Sequence, residues 1–271
     1  MKTIEAQIKN LINNLKTNHQ IRAVGLSGDE NCLSNPDDGD IDLFVYCSKI
    51  PDKNERFNML SNLSFVNNIH IEKLGGGHWG IGDCCFIQGI EVWILYFTVE
   101  ETIEELNMIL TGDYQWRLDN YFYPLGRLAM WKKMTIFYDP DGVLKYFKDK
   151  LSIYPKELAY HVIKFHIEAL ADNEDLERAV YRKDIFFYHF ALELALDHFL
   201  QVLFALNNTF FPSRKRSMEY IQGFEIKPMD CENRLTQVIL NGGVANTLGE
   251  SYELWSNLVQ DLKLLVHDIT I

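Results

Sequence analysis

The spacing of apolar and polar residues changes character once along the chain. In the first half, short apolar runs are separated by turn residues. The runs 21–26 (IRAVGL) and 41–47 (IDLFVYC), rich in branched and aromatic side chains, predict strands. Further strands are predicted over 64–74, 81–88 and 90–98, the last two joined through Gln88-Gly89 as a hairpin. Helical spacing marks the N-terminus, where Ile4, Ile8, Leu11, Ile12 and Leu15 share one face. It recurs over about 52–63 and 100–110. The stretch FYDPDG, Phe137 to Gly142, predicts a strand ending in a turn, because Asp-Pro and Asp-Gly break regular structure.

Beyond Pro155 the period is helical almost throughout, with helices expected over 155–171, 175–206, 214–222, 231–240 and 250–267. The fold class that follows is α+β: an N-terminal domain with a mixed sheet over 1–145, then a C-terminal α-helical bundle over 146–271.

Composition narrows the partners. The chain has 271 residues, of which 47% are hydrophobic, enough for a large core. Its apolar runs stop short of the roughly 18 residues that suggest a membrane span, so no membrane partner is expected. Five cysteines at irregular spacing argue against a disulfide framework and point to a reducing cytoplasm. The net charge of −12 repels polyanions, which disfavours DNA and favours a small or cationic ligand.

Against that background one stretch stands out. Gly25 to Cys47 (GLSGDENCLSNPDDGDIDLFVYC) holds six acids, Asp29, Glu30, Asp37, Asp38, Asp40 and Asp42, and no base. Alternate residues of a strand share a face, so Asp40 and Asp42 project on the same side. Two carboxylates so close repel each other unless a cation lies between them, and a hard divalent ion such as Mg²⁺ suits oxygen donors. A third donor is expected from a neighbouring strand: Glu91, an acid inside the apolar run GIEVWILYF, with Asp83 as the alternative. Gly25 and Gly28 frame a turn whose backbone N–H groups can approach phosphate oxygens.

A strand, a glycine turn, a gap of about ten residues, Asp40-Ile41-Asp42-Leu43 and a later strand with one acid together resemble the polymerase β-like nucleotidyltransferase superfamily. The two-domain layout is similar to the small antibiotic nucleotidyltransferases that modify aminoglycosides or lincosamides. The segment Ala205 to Arg216 (ALNNTFFPSRKR) is also similar to an uncharacterised bacterial group of nucleotidyltransferase-fold proteins. The resemblance implies two Mg²⁺ ions held by Asp40, Asp42 and Glu91, the three catalytic carboxylates. It implies a nucleoside triphosphate, ATP foremost, as co-substrate and a hydroxyl of a small molecule as acceptor. Ser27, Gly28, Asp29 and Lys215 would meet the nucleotide. The family's serine after the motif glycine is Asp29 here, which adds negative charge where a triphosphate docks. That departure keeps two alternatives open: a degenerate member that binds without turnover, and a toxin-type enzyme acting on protein or tRNA.

In the expected helix 175–206, Arg178, Arg182, His189, Glu193 and Asp197 fall on one narrow stripe. Read functionally, His189, Glu193 and Asp197 form a wall that receives cationic substrate groups; read structurally, they are a solvated helix face. The glycine-rich GGGHWG at 75–80 is either a plain hairpin tip or a place where His78 and Trp79 stack on a ligand.

Overall fold

The structure, a computed structural model, describes residues 3–28, 33, 39–114, 116 and 124–270. It divides into two compact units. The first comprises Met1–Met108 and Leu128–Ser152, the second Ile109–Arg127 and Ile153–Ile271.

The first unit is built on a six-stranded mixed sheet. Its strands are β1 (Ile21–Leu26), β2 (Ile41–Cys47), β3 (Val66–Gly75), β4 (Ile81–Ile87), β5 (Ile90–Thr98) and β6 (Thr135–Tyr138), in the spatial order β3-β4-β5-β2-β1-β6. Only the β2–β5 pair is parallel; the others run antiparallel. The predicted β4–β5 hairpin is present, its turn carried by Gln88 and Gly89 at positive φ.

Strand alternation sorts the side chains onto two faces. Ile41, Leu43, Val45, Val92, Ile94 and Tyr96 point to one face, where they form a core with two helices. α1 (Ile4–Leu15) contributes the five apolar residues read from its spacing, and Thr3 caps its N-terminus through Ala6 N. α2 (Lys53–Ser61) starts from a capping box in which Asp52 and Glu55 satisfy each other's backbone N–H. On the opposite face Phe44, Tyr46 and Phe97 stack together. They are covered by Trp131 of α4 (Leu125–Lys133) and Phe147 of α5 (Val143–Lys150), with Trp131 Nε1 donating to the Tyr46 hydroxyl at 2.6 Å. The remaining helix before these, α3, spans Val99–Leu110. The expected domain cut after residue 145 falls inside α5, which clusters with the sheet.

The second unit is helical: α6 (Lys156–Ala169), α7 (Glu174–Arg182), α8 (Ile185–Leu206), α9 (Ser217–Gln222), α10 (Cys231–Gly242) and α11 (Leu248–Thr270). The single helix expected over 175–206 is two. Lys183 adopts a left-handed conformation (φ 53°) that ends α7, and Asp184 caps α8 by accepting from Phe187 N at 3.0 Å. The apolar rhythm runs through the break, which hides it from a periodicity argument. α8 is apolar and long enough to cross a bilayer by length and composition, yet most of it is buried as a core helix. Tyr188 on α8, Ser251 on α11 and the Val238 carbonyl on α10 form one buried hydrogen-bonded chain.

Candidate functional site

The glycine turn after β1 is tied down from two sides. Ser27 N donates to the Asp42 carbonyl (3.0 Å), which fixes the turn to the acidic strand. The Gly28 carbonyl accepts from both Thr135 N (3.2 Å) and Thr135 Oγ1 (3.0 Å) at the start of β6. Gly28 has φ 89°, a conformation that strains any side chain. Gly25 packs closely: a Cβ there would lie 2.1 Å from Met134 Sδ, so that side chain would have to move. Asp29, the residue that departs from the family pattern, lies outside the described residues.

The parallel β2–β5 register places the acids. Ile41 pairs with Val92 and Asp42 with Trp93, so Asp40 and Glu91 come one step before the first pair, side by side on adjacent strands. Asp40, Asp42, Glu91 and Trp93 therefore share the face opposite the α1–α2 core. Asp40 is exposed and Asp42 half-buried at the strand's entrance. Asp83 sits elsewhere. It pairs with Ile94 in the β4–β5 ladder and so points to the core face. There it is fully buried, bonded to Arg56 Nη1 at 2.6 Å and to Glu72 N at 2.8 Å. Burial pushes its carboxyl above the usual range, against the pull of the Glu72 N–H and Arg56.

Glu91 already has a cation. Lys73 Nζ lies 3.0 Å from Glu91 Oε1 and 4.7 Å from the centre of the Trp93 ring, and Cys84 Sγ donates to the same oxygen at 3.1 Å. The Lys73 bond, then the Cys84 bond, hold the Glu91 carboxyl below its ordinary range, and Glu91 in turn raises the Lys73 ammonium. Burial together with Glu91 pushes the Cys84 thiol up to about 11, so it stays protonated as a donor. Among the described residues, no three His, Cys, Asp or Glu side chains are gathered tightly enough to hold a metal ion. The donor chemistry nonetheless suits one. Three carboxylates from two adjacent strands share a face, and the one nearest the hairpin is held by an ammonium whose place a divalent cation can take.

Sequence reasoning missed Lys73, Cys84, Trp93 and Thr135. Lys73 was illegible because β3 is irregular: Glu72 has φ 57°, and the ladder with β4 shifts register between His70 and Leu74. That bulge decides which face Lys73 meets.

The second unit holds the other expected residues. Arg214 closes the acidic stripe on α8, with Nη1 2.5 Å from Glu193 Oε1 and Nε 3.2 Å from Asp197 Oδ1. Asp197 is buried and also accepts from Trp116 Nε1 at 2.9 Å. The two acids read as a wall for cationic groups thus hold a cation of the chain itself. His189 is half-buried and lines a small groove with Leu192, Glu193, Leu196, Arg214 and Ile239. Arg178 and Arg182 belong to α7, so the stripe does not run along one helix. Lys215 is exposed in the turn before α9, its backbone N–H donating to Ser213 Oγ at 3.2 Å. Below Trp116, His166 Nδ1 and His198 Nδ1 lie 2.7 Å apart, one ring donating to the other. In the GGGHWG stretch, Gly77–Trp79 form a short 3₁₀ turn between β3 and β4.

A family model described as "Domain of unknown function (DUF4037)" matches residues 123–216, a range that takes in ALNNTFFPSRKR. No curated protein matches the chain. One solved structure, a nucleotidyltransferase-like protein from Exiguobacterium sibiricum, is 10% identical with a TM-score of 0.49; the match covers 98% of this chain and 79% of that one. Another, an aminoglycoside 6-adenyltransferase from Bacillus subtilis, is 11% identical with a TM-score of 0.29, covering 98% and 92%. At these scores the functional reading rests on the sheet's own geometry: a pinned glycine turn, an Asp-x-Asp strand beside it, and a third acid on the parallel neighbour.

Proposed function

We propose that the protein is a Mg²⁺-dependent nucleotidyltransferase that moves a nucleoside monophosphate from a triphosphate to a hydroxyl of a small molecule. The observation that carries this reading is the shared face of Asp40, Asp42 and Glu91, next to a Ser27-Gly28 turn bonded to Asp42. Asp40, Asp42 and Glu91 would hold the metal, which supplies neutralisation of phosphate charge and polarises the α-phosphoryl group.

The chain's own residues do the rest. The Ser27-Gly28 turn stays fixed through Asp42 and Thr135, so it offers a rigid edge to the phosphates. The new bond forms between the acceptor oxygen and the α-phosphorus, and the bond to the β-phosphate oxygen breaks. Pyrophosphate departs with that electron pair. Glu91, kept ionised by Lys73 until the metal takes that place, receives the hydroxyl proton, a role typically worth 10²–10⁴-fold. The chain's acidity favours a cationic acceptor of aminoglycoside-like chemistry.

Calorimetric titration of ATP, GTP, CTP and UTP, with and without Mg²⁺, on wild type and Asp42→Ala tests the proposal. Metal-dependent binding that disappears in the variant supports it and identifies the base. Absence of binding by every triphosphate overturns it.

A second reading is favoured by the Lys73–Glu91 pair. If that ammonium permanently replaces the metal, the site is a degenerate one that binds nucleotide or a partner without turnover.

A further inference from the structure

α8 is apolar nearly all round; apart from the Tyr188 phenol its only acids and bases are His189, Glu193, Asp197 and His198. Such a helix is ordinarily covered on every side. Its first two turns are not. Phe186 is 91% exposed and Phe190, one turn on, 56%; Tyr181 at the end of α7 is 88% exposed. At about 200 Å² per ring, these three side chains present roughly 400–500 Å² of aromatic surface, about half of one side of a standard interface. Ile239, Leu240 and Val244 on and after α10 are also exposed, and Ile239 lines the groove of about 210 Å³ with His189, Leu192 and Leu196. An aromatic patch beside an apolar groove on one unit is a knob beside a hole.

We infer that this face pairs with a second copy of the same chain about a two-fold axis. The charge pattern of α7 selects that occupant. Asp172, Glu174, Asp175 and Glu177 crowd its N-terminal end, and Arg182 and Lys183 its C-terminal end. Only Arg178 answers the acids from within the helix, through Glu174 and Asp175. A two-fold axis perpendicular to α7 lays the two copies of that helix antiparallel, so the acidic end of each meets the basic end of the other. The same axis lets Phe186 and Phe190 of each copy enter the groove of the other. A net charge of −12 opposes association in general, so this local complementarity sets the register.

Sedimentation equilibrium of the full chain from 1 to 100 μM tests the inference. Wild type is expected to be a dimer, and Phe186→Ser with Phe190→Ser a monomer with unchanged circular dichroism, its melting temperature independent of protein concentration where that of the wild type rises with it. Arg182→Glu with Lys183→Glu should weaken the dimer at least tenfold; adding Glu174→Lys and Asp175→Lys to the same chain should restore it. A wild type that is monomeric at 100 μM overturns the inference, as does a dimer indifferent to both phenylalanines. Failure of the second charge reversal to rescue overturns the antiparallel arrangement. A monomer that instead co-sediments with phosphatidylglycerol vesicles assigns the patch to a lipid surface. None of these outcomes depends on the nucleotide site.

Discussion

The two faces of the sheet carry the same pairing of carboxylate and cation to opposite ends. On the core face Asp83 and Arg56 are buried, 0% and 2% exposed, and bonded at 2.6 Å, with Glu72 reaching Arg56 from the rim. On the open face Glu91 and Lys73 lie 3.0 Å apart with 35% and 44% of their side chains exposed. A buried pair is costly to break, because the survivor is left as an unpaired charge in a poor solvent. An exposed pair is cheap to break, because water takes over. The first therefore holds the fold, and the second is free to exchange its cation.

The largest effect tests the buried side of this contrast. Asp83→Ala leaves the buried Arg56 guanidinium only Glu72, at the rim, and should cost about 3–5 kcal/mol of stability in urea denaturation. A loss below about 1 kcal/mol would mean that the core face tolerates a lone charge, and the contrast would fail. Glu91→Gln is the counterpart. Its stability should stay within about 0.5 kcal/mol of wild type. Mn²⁺ affinity measured calorimetrically should fall by at least roughly 10–100-fold, the loss that removing even an outer partner of a metal ligand brings. Large destabilisation without a change in Mn²⁺ affinity would make Glu91 a second structural acid.

A third polar pair, buried at His166 and half-buried at His198, shows what happens with no full charge at all. His166 and His198 share one hydrogen bond, packed by Trp116 and Phe165, while Asp197 is held by Trp116 and Arg214. Burial lowers both imidazoles below 6.5, with Asp197 opposing the shift at His198. The unfolded chain then binds protons that the folded chain refuses, so stability rises with pH in that window. The pair's contribution is complete above about pH 6.5 and declines as pH falls from there towards the depressed values. Melting temperatures from pH 7.5 to 5 should fall for wild type and flatten for His166→Gln with His198→Gln. Equal slopes in the two proteins would remove these histidines from the account.

How much of this was legible in the sequence depends on the range of the interaction. The common face of Asp40 and Asp42 follows from strand alternation, and the β4–β5 hairpin from Gln88-Gly89, because both are local. Glu91 was legible as an odd acid in an apolar run. Its alignment with Asp40 was not, since that needs the parallel pairing of strands fifty residues apart. Asp83 and Glu91 looked interchangeable until the β4–β5 register put them on opposite faces. The break at Lys183 escaped because no glycine or proline marks it; Asp184 as a cap was the one local signal, within a run that kept helical spacing. Arg214 lies in the segment ALNNTFFPSRKR, far from the acids in the chain, and only tertiary structure brings it back to Glu193 and Asp197.

The smallest predicted effect is the one that separates the two functional readings. Lys73 is an ammonium on an exposed carboxylate, so its removal should barely alter stability, by less than about 1 kcal/mol. For a working metal site, Lys73 competes with the incoming cation for Glu91 Oε1. Lys73→Met keeps the apolar stem against Trp93 and removes the competitor, so Mn²⁺ should bind a few-fold more tightly. If Lys73 has taken the metal's place for good, the same change leaves a site that still binds no Mn²⁺, and the non-catalytic reading gains. If Mn²⁺ binds more weakly in the variant, Lys73 positions Glu91 rather than competing for it. The exposed ion pair would then be part of the site's architecture, and the contrast between the two faces would narrow to burial alone.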